Sequence, residues 1–326
     1  NGLTLESDTL TRVAAMERIY LESFLAGSPA SIPPANESAY STIFIRAGTY
    51  NENIPIVIPA FTALNGDELR GTTIQPKNPV NTLCTRTTGD VNLFTVGSTV
   101  NMLNNTPVQF VSLNPINEIS TVFGEVTAGQ TYYVIGSSIS ETQFQVSETK
   151  DGPPLELFTN LGDMYVYGGE ALHDMFYVRN GTGIRNMTVK GLRGTLSAEN
   201  EYLTRRPTGG AYVTRAWITR KSPYVQNVTT FGLGCVGMKI DSTLHNGGNR
   251  SMVSNDFTQI LSDGIGIWCK GGDSLTEAVS VFSYYGYAGY FAEDGARVRA
   301  TNGNSSYGTY GCVAEGFDDS ETPAIG

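Results

Sequence analysis

The chain has 326 residues, of which 31 are acidic and 21 basic, so its formal net charge at pH 7 is −10. This balance disfavours nucleic-acid binding, because no basic patch is present to neutralise phosphates. No run of about 18 apolar residues is present, so membrane insertion is not expected. Charged residues make up only 16% of the sequence, while 37 glycines and 17 tyrosines favour strands and tight turns over helices and over disorder.

A helical pattern occurs within residues 1–30. Apolar residues recur there at steps of three or four: Val13, Met16, Tyr20 and Phe24. An amphipathic helix in front of a solenoid commonly covers the open end of the core, because an exposed coil edge invites aggregation. We therefore predict a short N-terminal capping helix, with a partner-binding helix as the alternative.

The next segment, residues 31–103, begins with short apolar strands separated by turns. Between Thr42 and Pro76, isoleucines alternate with other residues in short runs, and Gly-rich turns separate them. This pattern predicts the first coils of a right-handed parallel β-helix. The run that starts at Gly48 resembles the opening coils of pectin-active and related carbohydrate-active β-helices, and those of many tailed-phage proteins. The resemblance implies the fold and not the activity.

Residues 104–167 interrupt the coil pattern. The runs TPVQFVSL, QTYYVIGSSI, TQFQVSET and DMYVYGG alternate and are joined by longer polar turns. They predict a small antiparallel β-module inserted between coils. The segment resembles a module that is common in phage virion proteins, which implies a spacer or decoration domain. A carbohydrate-binding role is the alternative.

Residues 168–326 contain one short pattern three times, as DGIGIWCKGG from Asp263, YGYAGYFAEDG from Tyr285 and YGTYGCVAEG from Tyr307. Matching glycines lie 23 residues apart in the first two copies and 22 in the last two. A Gly-rich repeat of this length suits one coil of a parallel β-solenoid, which buries its inner face by stacking on its neighbours. The predicted fold class is all-β, a right-handed parallel β-helix with an inserted antiparallel β-module and an N-terminal capping helix.

Alignment of the copies assigns side chains to the inside and the outside of the coils. The column predicted to lie inside is Cys235, Ile267, Tyr290 and Cys312. The column predicted to lie on a solvent face is Lys270, Glu293 and Glu315. Long gaps between the four cysteines, with Cys84 the first, argue against a zinc site. The cysteines are predicted to be reduced and structural, with a disulfide as the alternative.

Carboxylates are the residues that a polysaccharide lyase or hydrolase needs, as acid and as base or nucleophile. If the chain is an enzyme, the catalytic candidates are Asp241, Asp256, Asp263 and Glu293. Adjacent coils are about 4.8 Å apart, which is compatible with the roughly 5–10 Å between paired carboxyl groups in glycoside hydrolases. Because the charged column reads as a solvated face, we assign no catalytic residue, metal or cofactor.

Five tyrosines close together in the sequence are the candidate binding residues: Tyr284, Tyr285, Tyr287, Tyr307 and Tyr310. Tyrosine rings pack against sugars and against protein surfaces alike. Stacking between coils or at a subunit interface is the structural explanation of the group. A glycan-contact face is the functional one.

From Met175 to Gly316 the sequence closely resembles virion structural proteins of large marine tailed phages, notably those that infect cyanobacteria. The matching runs include MFYVRNGTGIRNMTVKGL, SPYVQNVTTFG and SYYGYAGYFAEDGARVRATNGNSSYGTYG. The resemblance implies a rigid component of a tail, fibre or baseplate that supports host attachment. It also implies a homotrimer in the virion, contacts with other tail or baseplate proteins and with a host surface glycan, and a parent polypeptide that continues beyond Gly326.

This resemblance, together with the lack of a recognisable catalytic spacing, predicts a structural protein that is not an enzyme. Two alternatives remain open. One is a tailspike depolymerase that cleaves host surface polysaccharide, and the other is a non-catalytic adhesin that binds a glycan.

Overall fold

The computed structural model describes residues 2–5, 36–77, 79–112, 122–194, 209–214, 218, 221–244 and 252–316. The chain divides into two compact units. The first, here called the solenoid unit, comprises residues 1–76, 174–192 and 210–326. The second, the inserted unit, comprises residues 77–173 and 193–209. None of the helices in the described ranges is long and apolar enough to cross a membrane.

The described residues form strands joined by turns and four short 3-10 helices. In chain order the strands are β1 (Gly2–Leu5), β2 (Ser41–Ile45), β3 (Gly48–Glu52), β4 (Ile56–Val57), β5 (Thr62–Gly66), β6 (Thr72–Pro76), β7 (Pro79–Thr88), β8 (Leu93–Val96), β9 (Pro107–Ser112), β10 (Thr131–Val134), β11 (Gln143–Phe144), β12 (Val146–Ser147), β13 (Asn160–Gly169), β14 (Phe176–Val178), β15 (Gly183–Arg193), β16 (Gly210–Thr214), β17 (Tyr224–Leu233), β18 (Val236–Asp241), β19 (Met252–Ser262), β20 (Ile265–Lys270), β21 (Leu275–Tyr284), β22 (Ala288–Glu293), β23 (Arg297–Thr301), β24 (Asn304–Ser306) and β25 (Tyr310–Glu315). The 3-10 helices are Gly89–Val91, Gly136–Ser138, Glu170–Leu172 and Ser242–Leu244.

The solenoid unit is built from two parallel sheets. One has the order β1-β2-β5-β15-β17-β19-β21-β23, with β3, β6 and β24 paired beside this path, and the other has the order β4-β14-β16-β18-β20-β22-β25. Trp268 pairs with Phe291, 23 residues later, and Phe291 pairs with Val313, 22 residues later. The predicted parallel β-solenoid and the coil length read from the glycines are therefore confirmed.

The inner faces of the two sheets share one hydrophobic core. Its aromatic centre is Tyr212, whose ring stacks on Phe176 at 5.8 Å and meets Phe257 edge-on at 5.4 Å. All three side chains are fully buried. Burial of side chains of this size stabilises the fold by about 1.5–3 kcal/mol each, so the stacked coils supply the core that no single coil has.

A ladder of asparagines forms one corner of the coils. Asn186 and Asn227 have φ values of 56° and 49°, a left-handed conformation that asparagine tolerates better than most residues. The Asn186 amide donates to Oδ1 of Asn65 at 2.9 Å, and the Asn227 amide donates to Oδ1 of Asn186 at 2.8 Å. Each asparagine thus holds the turn of its coil against the preceding one.

The inserted unit is a separate antiparallel sheet with the strand order β11-β8-β7-β13-β9-β10-β12. Its own core contains Phe94, which stacks on Phe110 and Phe144 with ring centroids 4.6 and 5.4 Å away. The antiparallel character predicted for residues 104–167 agrees with these pairings.

The start of the inserted unit differs from the predicted boundary at residue 104. The predicted first coils, residues 31–103, include β7 and β8, but β7 pairs antiparallel with β13 and with β8. The reason is that alternating burial looks the same in a strand of either sheet type, so the pattern does not report the direction of pairing. The last predicted segment, residues 168–326, likewise includes residues 168–173 and 193–209, which belong to the inserted unit.

The predicted capping helix lies largely outside the described residues, including all four apolar positions on which it rests. The described part of residues 1–30 is the strand β1. β1 pairs parallel with β2, from Gly2 opposite Thr42 to Leu5 opposite Ile45.

Candidate functional site

A row of charged residues runs along the ends of four successive strands of the solenoid. Asp241 pairs with Lys270, Lys270 with Glu293, and Glu293 with Glu315. Neighbouring inward positions, such as Cys269, belong to the hydrophobic core. Because side chains alternate along a strand, the charged row points outward from the sheet.

Lys270 lies at the centre of this row. Its Nζ is 3.2 Å from Oε1 of Glu293 and 3.5 Å from Oδ2 of Asp294. The indole Nε1 of Trp268 donates to the same Glu293 oxygen at 3.1 Å. Glu293 therefore receives both a charged and a neutral hydrogen-bond donor.

The predicted solvent exposure of this row is wrong for Glu293. Its side chain is only 1% exposed, whereas those of Lys270 and Asp294 are 26% and 30% exposed. The outward aromatic rings of the same strands are buried too, with Trp268 and Phe291 stacked at 6.0 Å. A carboxylate buried in this way must be paired and hydrogen-bonded, as it is here.

Asp241, at the start of the row, is also buried and held in place. Its Oδ1 accepts hydrogen bonds from the backbone N–H and the hydroxyl of Thr243, and its Oδ2 is 3.9 Å from Nζ of Lys239. The Lys239 ammonium lies over the Trp268 ring, 4.2 Å from its centroid. These contacts fix the carboxylate at the outer edge of β18.

We call the three carboxylates Asp241, Glu293 and Asp294, together with the lysine between them, Lys270, the carboxylate cluster. Burial alone would lower the pKa of Lys270, but its hydrogen bond to Glu293 and the charges of the cluster's carboxylates raise it. Asp241 and Glu293 are two coils apart, so their backbones are separated by about 10 Å. Paired carboxyl groups of glycoside hydrolases are separated by roughly 5–10 Å, so the cluster is compatible with acid–base chemistry on a glycosidic bond.

Asp263 lies away from this cluster. It occupies the turn before β20, in a left-handed conformation with φ of 57°, and its N–H donates to the carbonyl of Tyr285 at 3.0 Å. Lys270 is seven residues further along the chain, at the other end of β20. An extended strand of this length separates the two positions by about 20 Å, so Asp263 does not pair with Glu293.

Asp256 lies in β19, next to the coil that carries Asn227. The neighbouring pairs are Gln226 with Asn255 and Val228 with Phe257, which places Asp256 opposite Asn227 in the register. The register therefore places Asp256 in the neighbouring coil of the asparagine ladder and not in the row of Lys270 and Glu293.

The five candidate tyrosines do come together, at the turns that precede β22 and β25. Tyr285 and Tyr307 stack with centroids 5.5 Å apart and an interplanar angle of 20°. The rings of Tyr284 and Tyr285 are tilted against each other with centroids 6.4 Å apart. Those of Tyr287 and Tyr310 pack edge to face with centroids 5.4 Å apart. Stacking between coils, the structural explanation, is thus present in the protein.

The tyrosines differ in what they leave to solvent. Tyr307 is 78% exposed, Tyr285 and Tyr310 are also exposed, and Tyr287 is buried. The facing rings of Tyr285 and Tyr307 cover part of each other, while ring edges and outer surfaces remain open. Three of the five tyrosines are therefore exposed to solvent.

The inner column predicted from the repeats is confirmed for Ile267 and Tyr290, which pair with each other and belong to the hydrophobic core. Cys312 pairs with Tyr290 as predicted, but it is exposed, so its predicted place inside the coil is wrong. Cys235 does lie inside the coil, in the hydrophobic core, but it is not in this column, because Met238 pairs with Ile267. The glycine equivalent to Gly266 is Gly237 and not Gly234, and a shift of three residues in the alignment misplaced the cysteine.

The four cysteines all lie in described segments, and none of them forms a disulfide. Burial raises the pKa of Cys84 to about 11 and that of Cys269 to about 12. Within the described segments, no group of three or more His, Cys, Asp or Glu residues is placed to hold a metal ion.

Sequence reasoning missed the contacts of Trp268 and Lys239 with the carboxylate cluster. A usable signal was present, because Trp268 and Lys270 are two residues apart on one strand and so share its outer face. Lys239 stands opposite Trp268 in the register, which follows once the glycines are aligned on Gly237.

Comparison with known proteins finds no matching family model and no matching curated protein. Solved structures that are similar include the tailspike protein gp49 from Pseudomonas phage LKA1, at 10% identity and a TM-score of 0.22, covering 89% of this chain and 51% of that one. The Gp54 tailspike of Acinetobacter baumannii bacteriophage AP22, in complex with A. baumannii capsular saccharide, is 9% identical with a TM-score of 0.19. The match covers 89% of this chain and 57% of that tailspike. A glycoside hydrolase is 7% identical with a TM-score of 0.20, and the match covers 93% of this chain and 92% of the hydrolase.

The chain spans about half the length of these two tailspikes. At such low identities and TM-scores, the matches give no residue of this chain a role. They do correct one expectation. The prediction that the chain is not an enzyme is contradicted, because the similar structures are tailspikes, one with a bound capsular saccharide, and a glycoside hydrolase.

Proposed function

We propose that this chain is part of a tail spike of a tailed phage, which binds host surface polysaccharide and cleaves its glycosidic bonds at the carboxylate cluster. The observation that carries the proposal is the placement of Asp241 and Glu293 in one outward row, on either side of Lys270. Glycosidic cleavage needs one carboxyl group to protonate the leaving oxygen and a second to act as base or nucleophile.

The exposed members of the cluster define where the polysaccharide enters. Asp294 and Lys270 are the partly exposed groups, and Glu293 lies behind them with one oxygen fixed by Trp268 and Lys270. Fixed side chains hold a reacting group in one geometry, which is a main source of catalytic rate. A sugar that reaches Asp294 is thus next to the held carboxylates.

The exposed tyrosines are the proposed second contact with the polysaccharide. Tyr285, Tyr307 and Tyr310 present ring surface and hydroxyl groups together. An aromatic ring packs on the apolar face of a sugar while its hydroxyl hydrogen-bonds. Tyr284 and Tyr287 support these rings from behind.

The virion role has support from the fold and from the sequence resemblance to marine phage virion proteins. Each coil of a solenoid hydrogen-bonds to its neighbours, which makes a rigid rod suited to a tail, a fibre or a baseplate. The resemblance supports a homotrimer that contacts other tail or baseplate proteins. In that assembly the chain contributes to host attachment.

The test is a cleavage assay on surface polysaccharides of marine cyanobacteria. The wild-type protein is expected to release new reducing ends. Glu293→Gln and Asp241→Asn each remove a carboxylate while keeping its shape, and are expected to lower the rate by about 10²–10⁴-fold.

Asp263→Asn is the matched control, since it makes the same change at a carboxylate outside the cluster, and asparagine tolerates the left-handed turn. It is expected to retain the wild-type rate. If cleavage persists in both cluster variants, or if Asp263→Asn loses it equally, the carboxylate cluster is not the catalytic site. An absence of products from every host polysaccharide in the panel would contradict the proposed cleavage.

A further inference from the structure

A column of polar side chains lies inside the solenoid unit, where apolar residues are the rule. Thr230 pairs with Gln259, Gln259 with Ser283, and Ser283 with Ser305. Thr230, Gln259 and Ser283 are at most 1% exposed. The column therefore spans at least three consecutive coils within the core.

Three polar side chains of this column have atoms without a hydrogen-bond partner in the part of the chain that the structure describes. Among the described residues, neither the Oε1 nor the Nε2 atom of Gln259 makes a hydrogen bond, and the hydroxyl of Ser283 makes none. The hydroxyls of Thr230 and Tyr212 likewise make no hydrogen bond among the described residues. Burial raises the pKa of Tyr212, and the Thr230 hydroxyl offsets part of the rise.

Glycines stand opposite the column on the facing sheet. A Cβ atom at Gly237 would overlap the Gln259 amide, one at Gly266 would come within 2.7 Å of Oγ of Ser283, and one at Gly289 would overlap Oγ of Ser305. The facing positions thus offer no side chain that could bond to the column. A primary amide has two N–H donors and one carbonyl acceptor, and buried groups of this kind are almost always satisfied by protein or by ordered water.

We propose that the polar column binds ordered water inside the solenoid, with at least one molecule held between the Gln259 amide and the Ser283 hydroxyl. Water suits this position because it both donates and accepts, and a buried water typically makes about three hydrogen bonds. The Gln259 amide and the hydroxyls of the adjacent coils, Thr230 and Ser283, supply donors and acceptors of both kinds. This site is independent of the proposed polysaccharide cleavage.

The test is a high-resolution crystal structure of the wild-type protein. The expected result is density for a water within hydrogen-bond distance, about 2.7–3.2 Å, of both Gln259 and Ser283. A Gln259 amide bonded directly to Ser283, to Thr230 or to the backbone, with no water beside it, would overturn the proposal.

A pair of serine variants sharpens the assignment. Ser283→Ala removes one proposed partner with little change in volume, and the water peak is expected to disappear or move. Ser306→Ala is the control, because Ser306 bonds to Asn304 at the surface, outside the column, and the water is expected to remain. A water that stays unchanged in Ser283→Ala overturns the role of that hydroxyl.

In solution, magnetisation transfer between water and the Gln259 side-chain amide provides a second readout that needs no crystal. The wild type is expected to show it, and its absence would overturn the proposal.

Discussion

Glu293 is a charged residue that the repeat pattern predicts to be exposed and that the structure shows to be buried. In the sequence it is one of three charges at equivalent repeat positions, which predicts a solvated row. In the structure it is enclosed, with Trp268 and Lys270 donating to one of its oxygens. Both donors belong to the preceding copy of the repeat, and an alignment of equivalent positions does not report a contact between one copy and the next.

The buried ion pair leads to a prediction about stability. Lys270→Met keeps the length of the side chain and removes its charge, which leaves the Glu293 carboxylate buried with the Trp268 donor. We expect a loss of about 1–3 kcal/mol in the free energy of unfolding, below the usual value for a fully buried pair because Lys270 is partly exposed. Urea unfolding measures it.

The matched control is Arg299→Met. Arg299 and Glu277 form an ion pair at 3.1 Å, but Arg299 is 74% exposed. Exposed pairs contribute about 0–1 kcal/mol, so this variant is expected to stay close to the wild type. If both variants lose the same free energy of unfolding, burial of Glu293 does not strengthen the contribution of its ion pair to stability.

Cys269 gives a prediction for alkaline pH. Burial raises its pKa from 9.0 to about 12 in the folded protein, above its value in the unfolded chain. The neutral thiol therefore favours the folded state fully below pH 9, and this contribution is lost as pH rises from about 9 towards about 12.

The measurement compares unfolding free energies of the wild type and Cys269→Ala across this range. Alanine is tolerated in the column, where Cys269 pairs with Ala292. The wild type is expected to lose stability more steeply, by up to about 1.4 kcal/mol per pH unit. Parallel pH profiles would contradict the raised pKa.

At the scale of elements, β20 and β22 show why the coils need glycine. Gly266 faces the inside of the solenoid, and a Cβ there would collide with the carbonyl oxygen of Gly289 on the next coil. The two strands are in parallel register around this point. The repeated glycine is therefore required by close approach of backbones and not by a turn.

Gly266→Ala is accordingly expected to destabilise the protein by about 1–3 kcal/mol, the usual cost of overpacking a core. Gly272→Ala is the control, since nothing lies within 4 Å of its Cβ position. Thermal unfolding of both variants measures the difference. A Gly266→Ala protein as stable as Gly272→Ala would show that the strands separate at little cost.

The same elements show how far the sequence predicts this fold. The spacing of Gly266 and Gly289 is enough to place Ile267 on Tyr290, because both positions follow the same glycine. Cys235 follows a different glycine, which forms a turn, and residue identity does not distinguish the two. For β7 the sequence does not predict the direction of strand pairing, because the alternation of apolar and polar residues reports only which side chains are buried.

For the candidate site, the sequence identified the acidic residues but not their grouping. Asp263 and Glu293 look equivalent as carboxylates near the repeats, yet they occupy opposite ends of neighbouring strands. Only the register separates them and joins Asp241 to Glu293 through Lys270.

At the scale of the whole molecule, the solenoid unit carries the candidate chemistry and the inserted unit has its own sheet and core. We expect the protein to be a homotrimer, as its resemblance to phage virion proteins implies. Sedimentation of the purified chain would then give three times the mass of one chain. A stable monomer over a range of concentrations would contradict the trimer.

The tyrosine group provides a prediction about binding. Tyr307→Ala removes the most exposed ring and is expected to raise the dissociation constant for polysaccharide by roughly 5–30-fold, the equivalent of about 1–2 kcal/mol. The rate of cleavage at saturating polysaccharide is expected to stay unchanged, because the ring lies at the opposite end of the strands from the carboxylate cluster. An unchanged dissociation constant would remove Tyr307 from the binding surface.

Cleavage at the carboxylate cluster is tested most directly by a crystal structure of the Glu293→Gln protein with a fragment of the host polysaccharide bound. We expect a glycosidic oxygen beside Asp294 and Lys270, within reach of Asp241 and of the substituted side chain. Sugar bound only elsewhere on the protein, with the carboxylate cluster closed to it, would contradict cleavage at this site.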